Sequence, residues 1–306
     1  MTAPVCVVLG YSHFGCAGLD AVLAAGAQVP LALSHHDNPA DNRWWPSFAE
    51  RCVKHLIPVL LDADLAVGSP VVARIAALQP DFILSFTFKH LVDDHVLALP
   101  RRGAYNLHPS LLPQYRGRAP LNWQLIHGET RVGMTLHRMV ARADAGDIVA
   151  QQAIDIGPDE DVHAVTQHLL AIAPGMLDGA LRALFAGAAR HRPQDISKGS
   201  VFGGRKPEDG EIDWSQTARA VHNLVRAVAP PWPGAFTWLG GERLLINRTR
   251  VAEDAGRHGL PGTVLRDGTV ACGTGRLTPI ALFNARSQPQ TLQPGAVLGR
   301  RHPGSP

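Results

Sequence analysis

Short β-branched runs alternate with helical patterns through the first third of the chain. Val5–Leu9 reads as a strand, followed by a glycine-bearing turn (Gly10, Gly15, Gly18) and a helix over Leu19–Ala25 that Gly26 would end. Val29–Ser34 and Ile57–Leu61 read as the second and third strands. Ser69 and Pro70 supply a cap and a first-turn proline for a helix over Val71–Leu78. Asp81–Phe88 is nearly continuous in apolar residues, the pattern of a strand covered on both faces. Strands alternating with helices predict a Rossmann-like α/β domain with a parallel sheet and right-handed crossovers. The three glycines lack the G-x-G-x-x-G spacing, and no acidic residue ends the second strand. They read as a βα turn rather than a dinucleotide site.

Beyond Gly128 the pattern changes. Val132–Val140 and Ile148–Ile156 read as strands, and Asp159–Leu184 as helical with a break at Pro174. Residues 187–209 are polar, basic and rich in Gly and Pro, as in a linker or an extended crossing segment. A helix over Thr217–Ala229 follows, then short strands at Ala235–Leu239, Leu244–Arg250, Thr263–Leu265, Val270–Cys272 and Leu277–Leu282. These predict a small β-barrel-like, OB-like domain. The expected organisation is an α/β domain over 1–189, a linker over 190–206 and the β-barrel-like domain over 207–306.

The chain's 306 residues leave room for two domains, and its composition (45% hydrophobic, 18% charged) excludes a disordered chain. A net charge of +3 is too weak to argue for nucleic acid. Cys6, Cys16, Cys52 and Cys272 form no C-x-x-C pair and no zinc spacing, so they read as buried thiols in a reducing compartment, and no metal is expected. The opening residues lack the basic region of a signal peptide, and no stretch reads as the roughly 18 apolar residues of a membrane span, so the expected location is the cytoplasm. His35 and His36 read as exposed turn residues, Trp44 and Trp45 as core or lid, Trp232 as part of a proline turn, and the closing RRHPGSP as a tail.

Chemistry concentrates in GAYNLHPSLLPQYRGRA, residues 103–119. Asn106 and His108 are two apart on an extended segment, so both face one side. Pro109 and Pro113 stop the strand there, and the ends of parallel strands are where α/β proteins place ligands. Asp144 lies in a Gly/Ala-rich bend between two later strands. An amide to hold an oxyanion, an imidazole to take a proton and a carboxylate to fix the imidazole suit acyl transfer to an amine. No G-x-S-x-G supplies an activated serine, which favours direct transfer. The same residues also fit a structural histidine with ordinary turn formers, and spacing alone leaves both readings open.

The segments NLHPSLLPQYRGRAPLNW and GETRVGMTLHRMVARADAGDIVAQ resemble the folate-dependent formyltransferases, whose pattern is Asn-x-His, Ser-Leu-Leu-Pro, Tyr-Arg-Gly, Ala-Pro and a later Asp-x-Gly-Asp-Ile-like bend. FGGRKPEDGEIDW and VRAVAPPWPGAFTWLG resemble the C-terminal domain of these enzymes. Within the family, SFTFKHL, TLHRMVARADAG and the early HHDNP are most similar to the UDP-4-amino-4-deoxy-L-arabinose formyltransferases, part of bifunctional polymyxin-resistance proteins.

The resemblance implies that Asn106 and Asp144 stabilise the transition state and that His108 transfers the proton. It implies that His90, Leu91, Val92, Arg118 and the run Val140, Ala141, Arg142, Ala143, Asp144 line the site of 10-formyltetrahydrofolate. The formyl group would pass to the 4-amine of the UDP-sugar, a step toward lipid A modification and resistance to cationic peptides.

The bifunctional relatives continue into a decarboxylase domain near the point where this sequence stops. The resemblance leaves open a stand-alone enzyme or a piece of a longer bifunctional one, and it allows a homo-oligomer and a separate decarboxylase partner. Another amino-sugar nucleotide is an alternative substrate. Methionyl-tRNA formyltransferases share the trio but carry a basic insertion after the second strand. Here residues 35–52 hold two arginines, three acids and two tryptophans. Nucleic acid is therefore not the expected partner, although Arg190, Arg192, Lys198, Arg205 and Lys206 form a modest basic stripe.

Overall fold

A computed structural model describes residues 2–37, 43–252 and 256–299; part of HHDNP and the expected tail at 300–306 lie outside them. The described chain forms two units that interleave along the sequence. The first comprises residues up to 120, then 132–154 and 167–202; the second comprises 121–131, 155–166 and 203 onward.

The first unit begins with β1 (Val5–Gly10), α1 (Ser12–Ala24), β2 (Gln28–Ser34), α2 (Phe48–Lys54), β3 (Val59–Leu61), α3 (Pro70–Ala77), β4 (Phe82–Phe86), α4 (Asp94–Leu97), β5 (Ala104–His108) and the short β6 (Arg116–Gly117). Helix α5 (Pro120–Ile126) precedes β7 (Arg131–Arg138) and β8 (Ile148–Asp155), and α6 (Val162–Ala186) and β9 (Val201–Phe202) complete this part of the chain.

Seven strands lie in the order β3-β2-β1-β4-β5-β7-β8. Strands β1 to β5 pair in parallel, as predicted, whereas β7 pairs antiparallel to β5. The core of the parallel part is the burial of Val7, Leu9, Leu31, Leu33, Ile75 and Ile83 between the sheet and its flanking elements. Every residue of β4 is buried, which explains its unbroken apolar run.

Several local expectations are corrected. Gly10 of the supposed glycine turn ends β1, and Gly15 and Gly18 lie in the first half of α1, which starts at Ser12. Gly18 is there for space: a Cβ would lie 2.2 Å from the Phe86 ring, so glycine lets the helix press onto β4. Helix α6 runs through Pro174 without a break, because Leu169, Ala173, Leu177 and Leu181 are fully buried along one face while Pro174 is exposed. That helix is also long and apolar enough by composition to cross a membrane, which the sequence reading overlooked; 44% of its most apolar window is buried inside the fold. His35 is 6% exposed, not a turn residue on the surface. Its Nε2 accepts the Lys89 N–H at 3.1 Å, and its ring lies 4.3 Å from Phe88 between centroids. His36 is exposed as expected. Trp44 and Trp45 are half-buried, packed on His13 and Tyr11 respectively. All four cysteines are buried and unpaired, and burial pushes the Cys6, Cys52 and Cys272 thiols up to about 12.

In the second unit, α7 (Ala218–Ala227) starts at a Thr217 cap that accepts the Ala220 N–H. It packs Val221 and Val225 onto β10 (Ala235–Leu239), β11 (Glu242–Val251), β12 (Val270–Ala271) and β13 (Arg276–Asn284). These strands form an antiparallel sheet in the order β10-β11-β13-β12. It is a half-barrel. Among the described residues no ladder closes β10 onto β12, and the expected strand at Thr263–Leu265 makes only isolated bridges.

Candidate active site

Strand β5 ends at His108 because Pro109 has no N–H to continue the ladder. Asn106 and His108, on the same face of β5, line one cavity of about 460 Å³ at the carboxyl ends of β4 and β5. One wall is the segment just past β4, with Thr87, His90, Leu91 and Val92; another is Gly117 to Pro120; a third is Met139, Val140, Ala141, Ala143 and Asp144. The sequence-predicted residues thus meet, with one exception: Arg142 is exposed and does not line the cavity. Thr87, a β-branched residue, is held at φ +58° where β4 ends, its hydroxyl bonded to the carbonyls of Tyr11 and Phe86.

The bend after β7 places Asp144. Its φ is +53°, a conformation aspartate tolerates better than most residues. Gly146 lets the bend close, since a Cβ there would lie 2.1 Å from the Arg138 carbonyl oxygen. Asp144 Oδ2 accepts the Gly117 N–H at 2.9 Å, and Oδ1 lies 3.5 Å from His108 Nδ1 and 3.4 Å from His137 Nε2. His108 Nε2–H donates to the Tyr115 carbonyl at 2.8 Å. A neutral ring therefore turns the lone pair of Nδ1 toward Asp144, and a proton taken up at Nδ1 meets the carboxylate. His137 Nδ1–H donates to the Arg138 carbonyl at 2.9 Å, and its Nε2 lies 3.4 Å from both Asn106 Nδ2 and Asp144 Oδ1.

The electrostatics follow from burial and charge. Burial holds the His108 imidazole below its ordinary 6.5, opposed by the Asp144 charge and the Tyr115 hydrogen bond. Burial also disfavours the Asp144 carboxylate. The electrostatic contacts with His108 and His137 and the Gly117 N–H hydrogen bond outweigh it and keep the carboxyl well below the usual carboxylate range. The site therefore combines a neutral base, a fixed counter-charge and an amide donor, with the His108 and Asp144 side chains largely buried. Among the described residues no group of three or more His, Cys, Asp or Glu is arranged to hold a metal ion.

Sequence reasoning missed His137, Tyr115 and Gly117. His137 sits directly across from Asn106 in the antiparallel β5–β7 register, which the chain's spacing does not reveal. Tyr115 and Gly117 contribute backbone groups, for which side-chain identity gives little signal.

Known proteins share this architecture. An N-formyltransferase from Helicobacter canadensis, solved with folinic acid and dTDP-3-aminofucose, superposes with a TM-score of 0.66 at 15% identity, covering 90% of this chain and 98% of its own. WlaRD, a sugar 3N-formyltransferase solved in the presence of dTDP and 5-N-formyl-THF, gives a TM-score of 0.67 at 15% identity, covering 96% and 100%. HypX from Aquifex aeolicus, solved in complex with tetrahydrofolic acid, gives 0.62 at 19% identity; the match covers 95% of this chain and 46% of HypX. Residues 8–181 match the family described as formyl transferase, and residues 205–293 match the formyl transferase C-terminal domain. With both family models matched in chain order over most of its length, this chain belongs to the formyl transferase family.

Proposed function

We propose that this chain is a sugar N-formyltransferase that moves the formyl group of 10-formyltetrahydrofolate to the 4-amine of UDP-4-amino-4-deoxy-L-arabinose. The observation that carries the reaction class is the convergence of Asn106, His108 and Asp144 on one cavity. The neighbours solved with a formyl folate or a nucleotide-linked amino sugar support the substrate classes, and the sequence resemblance supports the particular sugar.

The cavity suits a folate. Its volume lies within the roughly 300–1,000 Å³ usual for small-molecule sites. Leu91, Val92, Met139 and Val140 supply apolar walls and Arg118 a cation. Leu91 is 77% exposed, an apolar surface that a bound ring would cover.

When bound, 10-formyltetrahydrofolate supplies an acyl carbon activated by attachment to N10. The residues of the chain do the rest. Asn106 Nδ2 has a hydrogen beyond the one facing His137, and it donates to the developing oxyanion. His108 accepts a proton from the attacking amine and returns it to the departing N10. Asp144 stabilises the imidazolium that forms between these two transfers. The C–N bond to the sugar amine forms first, and the C–N bond to N10 breaks as the oxyanion collapses, yielding a formamide and tetrahydrofolate.

The test is a competition assay with 10-formyltetrahydrofolate, the UDP-amino sugar and charged initiator tRNA together, read by mass spectrometry. Formylation of the sugar amine is the expected result. Formylated methionine on tRNA would overturn the sugar reading. Loss of roughly a hundredfold or more in turnover in His108→Ala or Asn106→Ala, with folding intact, checks the roles of the trio.

A further inference from the structure

The polar segment read as a linker is also part of the first unit, laid beside the candidate site. Arg192 and Ile148 exchange backbone hydrogen bonds at 2.8 and 2.9 Å. Further on, the Ser200 carbonyl accepts the Arg116 N–H at 3.0 Å, the Ser200 hydroxyl accepts the Tyr115 N–H at 2.9 Å, and β9 pairs with β6. Tyr115 and Phe202 stack at 5.3 Å. This strap therefore holds the loop whose Tyr115 carbonyl orients His108 and whose Gly117 N–H holds Asp144. Between these two anchorages lies Gln194, half-buried. Its Nε2 group donates to the Asp144 carbonyl at 3.1 Å and to the Gly146 carbonyl, so both amide hydrogens are used on the Asp144 bend.

We propose that Gln194 is a positioning residue of the formyl transfer site, fixing the left-handed bend so that the Asp144 carboxylate faces His108. The inference rests on the function proposed above for the trio. Asp144 has a positive φ, a conformation that persists where neighbours over-determine it. Gln194 supplies that constraint from outside the bend. The Gly117 N–H supplies it on the carboxylate itself. Without Gln194 the carbonyls of Asp144 and Gly146 lose their side-chain donor, and the 3.5 Å approach of Asp144 to His108 is no longer enforced from the strap. The charged or titratable groups around Asp144 are His108, His137 and Arg116, with Arg142 next to Arg116. None of these is removed by changing Gln194.

The experiment compares the full chain with Gln194→Met, which keeps length and removes the donors, and with Gln194→Leu, which removes them from a shorter apolar side chain; neither adds a charge. The titration of the His108 ring is followed by NMR on histidine-labelled protein, with Asp144→Asn as the reference for a lost counter-charge. The expected result is a His108 titration displaced to lower pH, toward that of Asp144→Asn, in both Gln194 variants. Arg192→Ala, two residues away on the strap, leaves it in place. Turnover falls roughly ten- to a hundredfold while KM for the formyl donor changes little. A His108 titration unchanged in folded Gln194 variants overturns the proposal, as does an equal displacement in Arg192→Ala. If the wild type fails to formylate UDP-amino sugars, the proposed function falls, and the titration still decides the role of Gln194.

Discussion

Asp144→Asn tests the electrostatic core of the site. The substitution keeps the size of the side chain and an oxygen for the Gly117 N–H, and it removes one charge. That charge lies 3.5 Å from His108 Nδ1. At an effective dielectric of about 20, a full charge pair at that distance is worth about 5 kcal/mol. Burial keeps His108 neutral in the resting site, so the pair forms only once the ring has taken the proton of the amine. The loss therefore falls on the transition state, where kcat and kcat/KM decline together. The dipole of the asparagine returns part of the interaction. A net loss of about 3–5 kcal/mol corresponds to a fall of between about a hundredfold and a few thousandfold. Single-turnover formyl transfer, quenched and read by mass spectrometry across pH, measures it. The pH profile has a defined sign. Asp144 raises the His108 pKa against burial, so its removal lowers that pKa further and moves the acidic limb to lower pH. A turnover within about threefold of wild type, or a limb moved to higher pH, would refute the reasoning.

Other perturbations probe the support and the entrance. In Gly117→Ala, a Cβ would lie 2.2 Å from the Phe202 carbonyl oxygen at a residue with φ +96°; a loss of about 2–4 kcal/mol in chemical denaturation is expected, with turnover falling as the Asp144 anchor shifts. Leu91→Asp places a charge at the exposed apolar rim, and steady-state kinetics should show a higher KM for the formyl donor with kcat nearly unchanged. Thermal melts across pH test linkage. Burial first of all lowers the folded-state pKa of His35, His108 and His222 from 6.5, so below that pH the unfolded chain binds more protons and stability is lost as pH falls. Asp144 adds to the loss below 3.8, since its folded-state pKa is also lowered. A melting temperature that holds steady or rises between about pH 7 and about pH 5 would contradict this.

The parallel part of the sheet was legible in the sequence because its signals are local. A buried strand needs apolar residues on both faces, so β4 announces itself in Phe82–Phe86, and Ser69-Pro70 marks the start of α3 as cap and first-turn proline. The pairing of Asn106 with His108 was legible for the same reason, since a strand repeats every two residues. Asp144 was placed by the family resemblance. Its reach to His108 depends on a left-handed bend closed at Gly146 by a contact with Arg138, eight residues earlier in the chain.

What only the tertiary structure decided involves partners distant in sequence. The antiparallel turn of β7 brings His137 opposite Asn106. Gly18 looked like a turn former because the Phe86 ring that requires it lies 68 positions later in the chain. Pro174 was read as a helix break, yet the buried face of α6 outweighs one missing hydrogen bond at an exposed position. The polar strap looked like a linker because its hydrogen bonds go to backbone groups of distant segments, which no side-chain pattern records. Sequence periodicity thus determined the elements and the chemistry available, and long-range packing decided which of those groups meet.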